Sequence, residues 1–199
     1  MHILLFGAGG RTGTRIAKRL LAAGHDVTSA VRPASAATPP GHRVEIDLSD
    51  AATIRAAASG ADAVISALSL GKGNPAASTL ARALLPLDGI RFVTIGGAGV
   101  DSPGDAKGLA DRIVGGIMRL TVGEMLADRQ AEHDMLRDSP LRWTMLRPPR
   151  LTAKPGTGRW RLTHDKPATA QISRDDLAAA AVVVLSDTAT EGRAPFVSA

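Results

Sequence analysis

The chain has 199 residues, with 44% hydrophobic and 22% charged side chains, 21 glycines, 12 prolines and no cysteine. A chain of this length buries roughly 70% of its unfolded surface, enough for one self-sufficient domain spanning 1–199, and the absence of cysteine excludes disulfide frameworks, thiolate nucleophiles and cysteine-ligated metals. Tyrosine is absent too, which excludes any mechanism using a phenol as proton donor, and the net charge of +5 comes from arginine dispersed along the chain.

Short apolar runs alternate with helical patterns. The expected strands are Ile3 to Phe6, Asp26 to Val31, Val44 to Ile46, Ala63 to Ser66, Arg91 to Ile95 and Trp143 to Leu146. Between them the expected helices are Thr12 to Ala23, Ala51 to Ala58, Ala76 to Leu85 and Met125 to Arg137, with Gly24 and Gly60 as closing glycines. Such alternation predicts an α/β fold, a Rossmann-type doubly wound parallel sheet whose ligand lies beyond the carboxyl ends of the strands. The stretch from Ala98 to Gly123 is glycine-rich. It reads as a mobile cover over the site, with Leu109, Ile113, Ile117 and Leu120 on one helical face. A small C-terminal region covering the substrate follows, with a strand at Gly158 to Leu162, a helix at Arg174 to Leu185 and a strand at Pro195 to Ser198.

Directly after the first strand stands GAGGRTG, where Gly7, Gly10 and Gly13 have the spacing of a dinucleotide fingerprint. The first glycine permits the tight turn, the second lets backbone amides approach a pyrophosphate, and the third brings the helix close to the sheet. Gly9, Arg11 and Thr12 complete the candidate phosphate loop. At the end of the second strand, where NAD-selective proteins place an acid, Arg32 suits a 2′-phosphate, so NADP(H) is expected over NAD(H). Asp47 and Leu48 follow the third strand; Asp47 fits equally an acceptor for the adenine amino group or a helix N-cap. Ala67 and Leu68 follow the fourth strand and leave room for a ribose, while Thr94, Ile95 and Gly96 line the nicotinamide side.

These residues, with AVRP after the second strand, the block LRDSPLRWTMLRPPRL and the late segments GTGRWRLT and ISRDDLAAA, give the chain its family likeness. It resembles the atypical short-chain dehydrogenases, in the NAD(P)-binding group of NADH-flavin reductases and biliverdin reductase B. NmrA-like proteins, some of which bind NADP without catalysis, share much of the pattern. The resemblance implies a nicotinamide cofactor and a planar acceptor. The Tyr-x-x-x-Lys pair of conventional members is missing: the nearest spacing offers Met125 and Arg129. The serine after strand five is replaced within 94–97, and the histidine that follows the prolines in biliverdin reductase B corresponds to Arg150.

Ketone reduction needs a proton delivered to the developing alkoxide, whereas a flavin or quinone delocalises charge and takes its proton from solvent. The expected activity is therefore NADP(H)-dependent hydride transfer to a planar acceptor, with FMN or a similar flavin as substrate and Gly96, Gly97 and Gly99 making room for it. Arg150, His133 and His164 are the catalytic candidates, Arg150 for an anionic tail. Glu132 faces either the site or solvent, Arg147 either a ligand or strand-end carbonyls. Trp143 reads as core, and Trp160 as an anchor for the late strand. No metal site is expected, since the five histidines complete no ligand spacing. The alternatives are a non-catalytic NADP sensor acting through Lys107, Arg112 and Arg119, and a specialised biosynthetic reductase or isomerase. Dispersed charge and only five aromatics argue against nucleic acid. No signal-peptide core or long apolar run is present, giving the expectation of a cytoplasmic protein off the membrane. A monomer or weak homodimer is compatible with this composition.

Overall fold

In the computed structural model, residues 1–68, 74–106 and 109–199 are described, with backbone alone for 109–122. The fold is built on β1 (His2–Phe6), β2 (Asp26–Val31), β3 (His42–Glu45), β4 (Ala63–Ser66), β5 (Arg91–Ile95) and β6 (Arg142–Leu146). They form one parallel sheet in the order β3-β2-β1-β4-β5-β6. The chain leaves β1 toward β2 and β3, then returns across β1 to β4, so the strand order reverses between β1 and β4. There the loops diverge and open a crevice at the carboxyl ends.

Both faces of this sheet are covered, which explains why its strands read as continuous apolar runs. Side chains alternate across a strand. Ile3 and Leu5 meet α1 (Gly13–Ala22) and α5 (Arg174–Val183) on one face, while Leu4 and Phe6 meet α2 (Ala51–Ser59) and α3 (Ala76–Leu84) on the other. The second face also receives Leu136 from α4 (Leu109–Arg137). Buried Arg91 crosses beneath the sheet to donate to the Val184 and Leu185 carbonyls at the end of α5 and to the Thr144 hydroxyl. Burial pushes its pKa down to about 10.

Several expected boundaries shift. The third strand starts at His42 rather than Val44. Asp50, not Asp47, caps α2, its side chain accepting from the Ala52 and Thr53 amides. The helix expected from Met125 begins at Leu109 and runs through the glycines at 115, 116 and 123 without a break. Those glycines read as punctuation, but a glycine inside a helix costs only about 1 kcal/mol, and the flanking turns carry it. Of the expected cover, Lys107 and the side chains of Leu109, Arg112, Ile113, Ile117, Arg119 and Leu120 lie outside the described residues.

The described part, 98–106, is fastened rather than loose: buried Arg147 grips Asp105 with two 2.7 Å bonds and donates to the Val100 carbonyl. It also donates to the Ala194 carbonyl and lies 3.8 Å over the Phe196 ring. Of the two readings of Arg147, the structural one holds.

In the C-terminal region the expected strand at 158–162 is the shorter β8 (Arg161–Thr163), antiparallel to β10 (Phe196–Ser198). Two further strands, β7 (Arg150–Thr152) and β9 (Gln171–Ser173), pair in parallel. Three-residue strands carry too little alternation to be read from sequence, and only their distant partners define them. Among the described residues, no helix is long and apolar enough to cross a membrane, and no group of His, Asp and Glu has a metal-binding arrangement.

Candidate functional site: a dinucleotide crevice

Phe6 ends β1, and Gly7 turns the chain at φ +78°, a conformation only glycine adopts without strain. A Cβ at Gly7 would come within 2.5 Å of the Ala67 carbonyl oxygen, and one at Gly13 would collide with the Gly7 carbonyl. The Gly10 amide donates to that same carbonyl at 3.0 Å. The turn is therefore tight because three glycines let backbone pack on backbone. Ala67 closes its other side, its amide donating to the Phe6 carbonyl at 2.9 Å.

Behind the turn α1 begins. Thr12, its N-cap, adopts a helical conformation and makes no side-chain capping bond, and the first turn carries no acid. The Thr14 and Arg15 amides are taken by the Gly10 and Thr12 carbonyls at 2.9 and 3.0 Å, so what α1 offers an anion is its positive dipole end, with no side chain capping it. Arg11 is exposed beside them, and Arg15 links its carbonyl to Asp175 of α5 by bonds of 2.7 and 2.8 Å. The guanidiniums of Arg11 and Arg15 stand close enough to Arg174 to lower its pKa, after desolvation as the larger cause.

Arg32 is exposed one residue beyond β2 and enters a turn closed by the Ser35 amide on the Arg32 carbonyl, 3.1 Å. With Pro33 second and Ala34 third at φ +56°, this has the pattern of a type II turn. Arg43 pins the loop by donating to the Ser35 and Ala37 carbonyls. The loop thereby lies over Gly9, where an added Cβ would sit 2.7 Å from that of Ala37. Exposed Asp47 accepts from the Ser49 amide at 2.9 Å, and this contact holds its carboxyl below the usual range. Leu48 is half-buried nearby.

Toward the other end of the crevice lie Leu68, Thr94, Ile95 and Gly96. Here a network absent from the sequence reading appears. Glu132, fully buried on α4, accepts from the Thr94 hydroxyl at 2.7 Å and from Arg129 Nη1 at 2.7 Å. Arg129 Nη2 donates to the Leu68 carbonyl, also at 2.7 Å. The nearest sequence signal was the i, i+3 spacing of Arg129 and Glu132, which does not say that the pair turns inward. Beside it, Asp128 caps α3 by accepting from the Ala77 and Ser78 amides at 3.0 Å. In the same strand-end row, Ser66 Oγ is buried without a hydrogen-bond partner among the described residues.

The space expected from three glycines is narrower. A Cβ at Gly96 would lie 2.8 Å from Met145 Sδ and one at Gly99 3.0 Å from Leu126 Cδ1, so only Gly97 faces open space. Nor do the three catalytic candidates converge. His133 and His164 line a cavity outside β6, with His133 edge-on to Trp143 at 5.8 Å between ring centroids. Arg150 is exposed on β7, apart from that cavity.

A parallel sheet in this order, with a glycine turn and an uncapped helix at its switch point, defines a dinucleotide-binding α/β protein. The family model described as NAD(P)H-binding matches residues 7–188, and the chain belongs to that family. Among solved structures it is similar to the anaerobilin reductase ChuY of Escherichia coli O157:H7, at 23% identity and a TM-score of 0.81, covering 100% of this chain and 97% of that one. It is also similar to a short-chain dehydrogenase/reductase of Veillonella parvula in complex with NADP, at 20% identity and a TM-score of 0.79, covering 100% and 94%. No curated protein matches the chain. These likenesses show the Rossmann-type α/β fold.

The crevice fits such a cofactor: the glycine turn puts no side chain between backbone and a pyrophosphate, and the positive end of α1 carries no side-chain cap. Gly7, Gly10, Arg11, Thr12 and Gly13 would hold the phosphates, Arg32 the adenosine end, and Leu68, Thr94 and Ile95 the nicotinamide end.

Proposed function

We propose that the protein is an NADPH-dependent reductase that passes hydride to a planar conjugated acceptor of the flavin or quinone class. The observation that carries this reading is the closed Thr94–Glu132–Arg129 network. It stands on strand five and the following helix, the elements that carry serine, tyrosine and lysine in conventional relatives, and its hydrogen-bonding groups are engaged with one another and with Leu68. With the Thr94 proton directed to Glu132, the network is arranged to position backbone rather than to hand a proton to an alkoxide.

The bound nicotinamide would supply the hydride. The chain's part is alignment: Arg129 holds the Leu68 carbonyl in place, Gly97 leaves room for a flat ring, and the one proton that accompanies the hydride comes from water. Arg32 supports the preference for NADPH, because a charge-assisted bond of about 1.5–3 kcal/mol corresponds to roughly a ten- to hundredfold selectivity. The reductase among the similar structures supports the same class of reaction. A cytoplasmic location, where NADPH and such acceptors meet, belongs to this reading.

Anaerobic oxidation of NADPH by the purified protein, with NADH in parallel, before and after addition of FMN or a quinone, tests it. Acceptor-dependent turnover preferring NADPH is expected. Saturable NADPH binding without turnover on either acceptor class would overturn this reading and leave an NADP-binding sensor or an enzyme with a substrate of another class.

A further inference from the structure

Outside the edge strand β6 lies a cavity of about 380 Å³, within the size range of small-molecule sites. Five separate segments wall it: Ser102 from the loop after β5, His133 and Arg137 from α4, Trp143 from β6, His164 from the connection after β8, and Arg193 from the approach to β10. It lies across α4 from the dinucleotide crevice. Glu132 and His133 are consecutive, so they project about 100° apart on the helix. The first reaches Thr94 on β5; the second meets Trp143 on β6.

The charge of this lining is largely uncommitted. At the floor, Arg147 is neutralised by its two bonds to Asp105. The rim differs: Arg193 and His164 make no side-chain hydrogen bond among the described residues, and Arg137 only approaches exposed Asp138, at 3.7 Å. Asp165 is the one carboxylate among the lining residues themselves. Deeper in the wall is His133, which is 1% exposed. Its Nδ1 lies 3.4 Å from Asp134 Oδ1.

We propose that this cavity is a second ligand site, for a small anion with an apolar body: an aromatic carboxylate or phosphate monoester. Its anionic head meets Arg137, Arg193 and His133, and its body lies along Trp143 and Pro103. Charge-assisted contacts of this kind are short and strong, and a partly enclosed wall increases their weight. The site does not depend on what the crevice reduces, and nothing in the dinucleotide chemistry uses these residues.

The chain has two tryptophans, so a Trp160→Phe variant reports Trp143 alone. The fluorescence of that variant is titrated with benzoate and with phenyl phosphate, in the presence of NADP to keep both probes out of the crevice. The expected result is a saturable change with at least one probe, weakened about tenfold or more by Arg193→Ala or Arg137→Ala, the loss of one charge-assisted contact. Both arginines are exposed, so these variants keep the fold, which far-UV circular dichroism verifies. The stronger probe identifies the head group. Absence of a saturable change with both probes, or a change that persists in the Arg137→Ala/Arg193→Ala double variant, would overturn the proposal.

Discussion

Arg129 and Glu132 form a buried ion pair within one turn of α4, 2.7 Å apart, with the two side chains 8% and 0% exposed. The pair joins α4 to two parts of the sheet's carboxyl edge, because Thr94 of β5 and the Leu68 carbonyl after β4 complete its hydrogen bonds. Breaking a buried pair from one side strands the other charge, which costs about 3–5 kcal/mol. Glu132→Ala should therefore lower stability in urea unfolding by that order, and replacing both residues by apolar ones should cost markedly less. A double variant as unstable as the single one would show that the pair contributes through more than mutual compensation.

In the proposed reading, cofactor choice turns on Arg32. Replacing it by glutamate exchanges a cation for an anion at the end of β2, where a 2′-phosphate would come to lie. The ratio of NADPH to NADH affinity is expected to fall by about ten- to hundredfold or more, measured as paired dissociation constants. An unchanged ratio would transfer the discrimination to Arg11 or another cation.

Gly13 offers a sharper steric test than Gly10. Its missing side chain faces the Gly7 carbonyl directly, whereas a Cβ at Gly10 would remain 3.2 Å from the same oxygen. Gly13→Ala should displace the turn and cost about 1–3 kcal/mol of stability, with loss of dinucleotide binding. Gly10→Ala should keep the fold. Thermal melts with and without NADPH distinguish the two.

Acid stability should depend on Asp176. Burial raises the pKa of this carboxyl, but bonds from the Thr157 and Gly158 amides and the Ser173 hydroxyl outweigh it and hold the group below its usual value of 3.8. A depressed folded pKa contributes stability that is complete above the unfolded value and is lost as pH falls through the folded one. Asp176→Asn should therefore be less stable than the parent at pH 7, on the order of 2 kcal/mol, with the difference shrinking below about pH 4. Chemical unfolding at pH 7, 4 and 3 follows it, and a gap independent of pH would refute the assignment.

Sequence periodicity located all six strands of the main sheet, but not the small pairings of the C-terminal region. β7 and β9 exist because residues about twenty apart complete each other's backbone bonds, and three residues hold no pattern of their own. The site divides in the same way. Gly7 and Gly13 announce themselves because the tight turn leaves no room for a Cβ at either, and Gly10 through its spacing between them. Arg129 and Glu132 look like ordinary surface charges of a helix, since an i, i+3 pair is equally at home facing water. His133 and His164, thirty-one positions apart, have no sequence relation that would place them on one cavity.

What the sequence determined by itself was local: strand and helix periods, the glycine turn, the cation after β2, and the absence of tyrosine and cysteine, all properties of neighbouring residues or of composition. Only the tertiary structure decided which charges are buried, which candidates meet, and that Arg147 serves the fold while Arg137 and Arg193 stand open. Burial and convergence depend on packing between distant segments. The free energy of a charged side chain is set by the surroundings that packing creates.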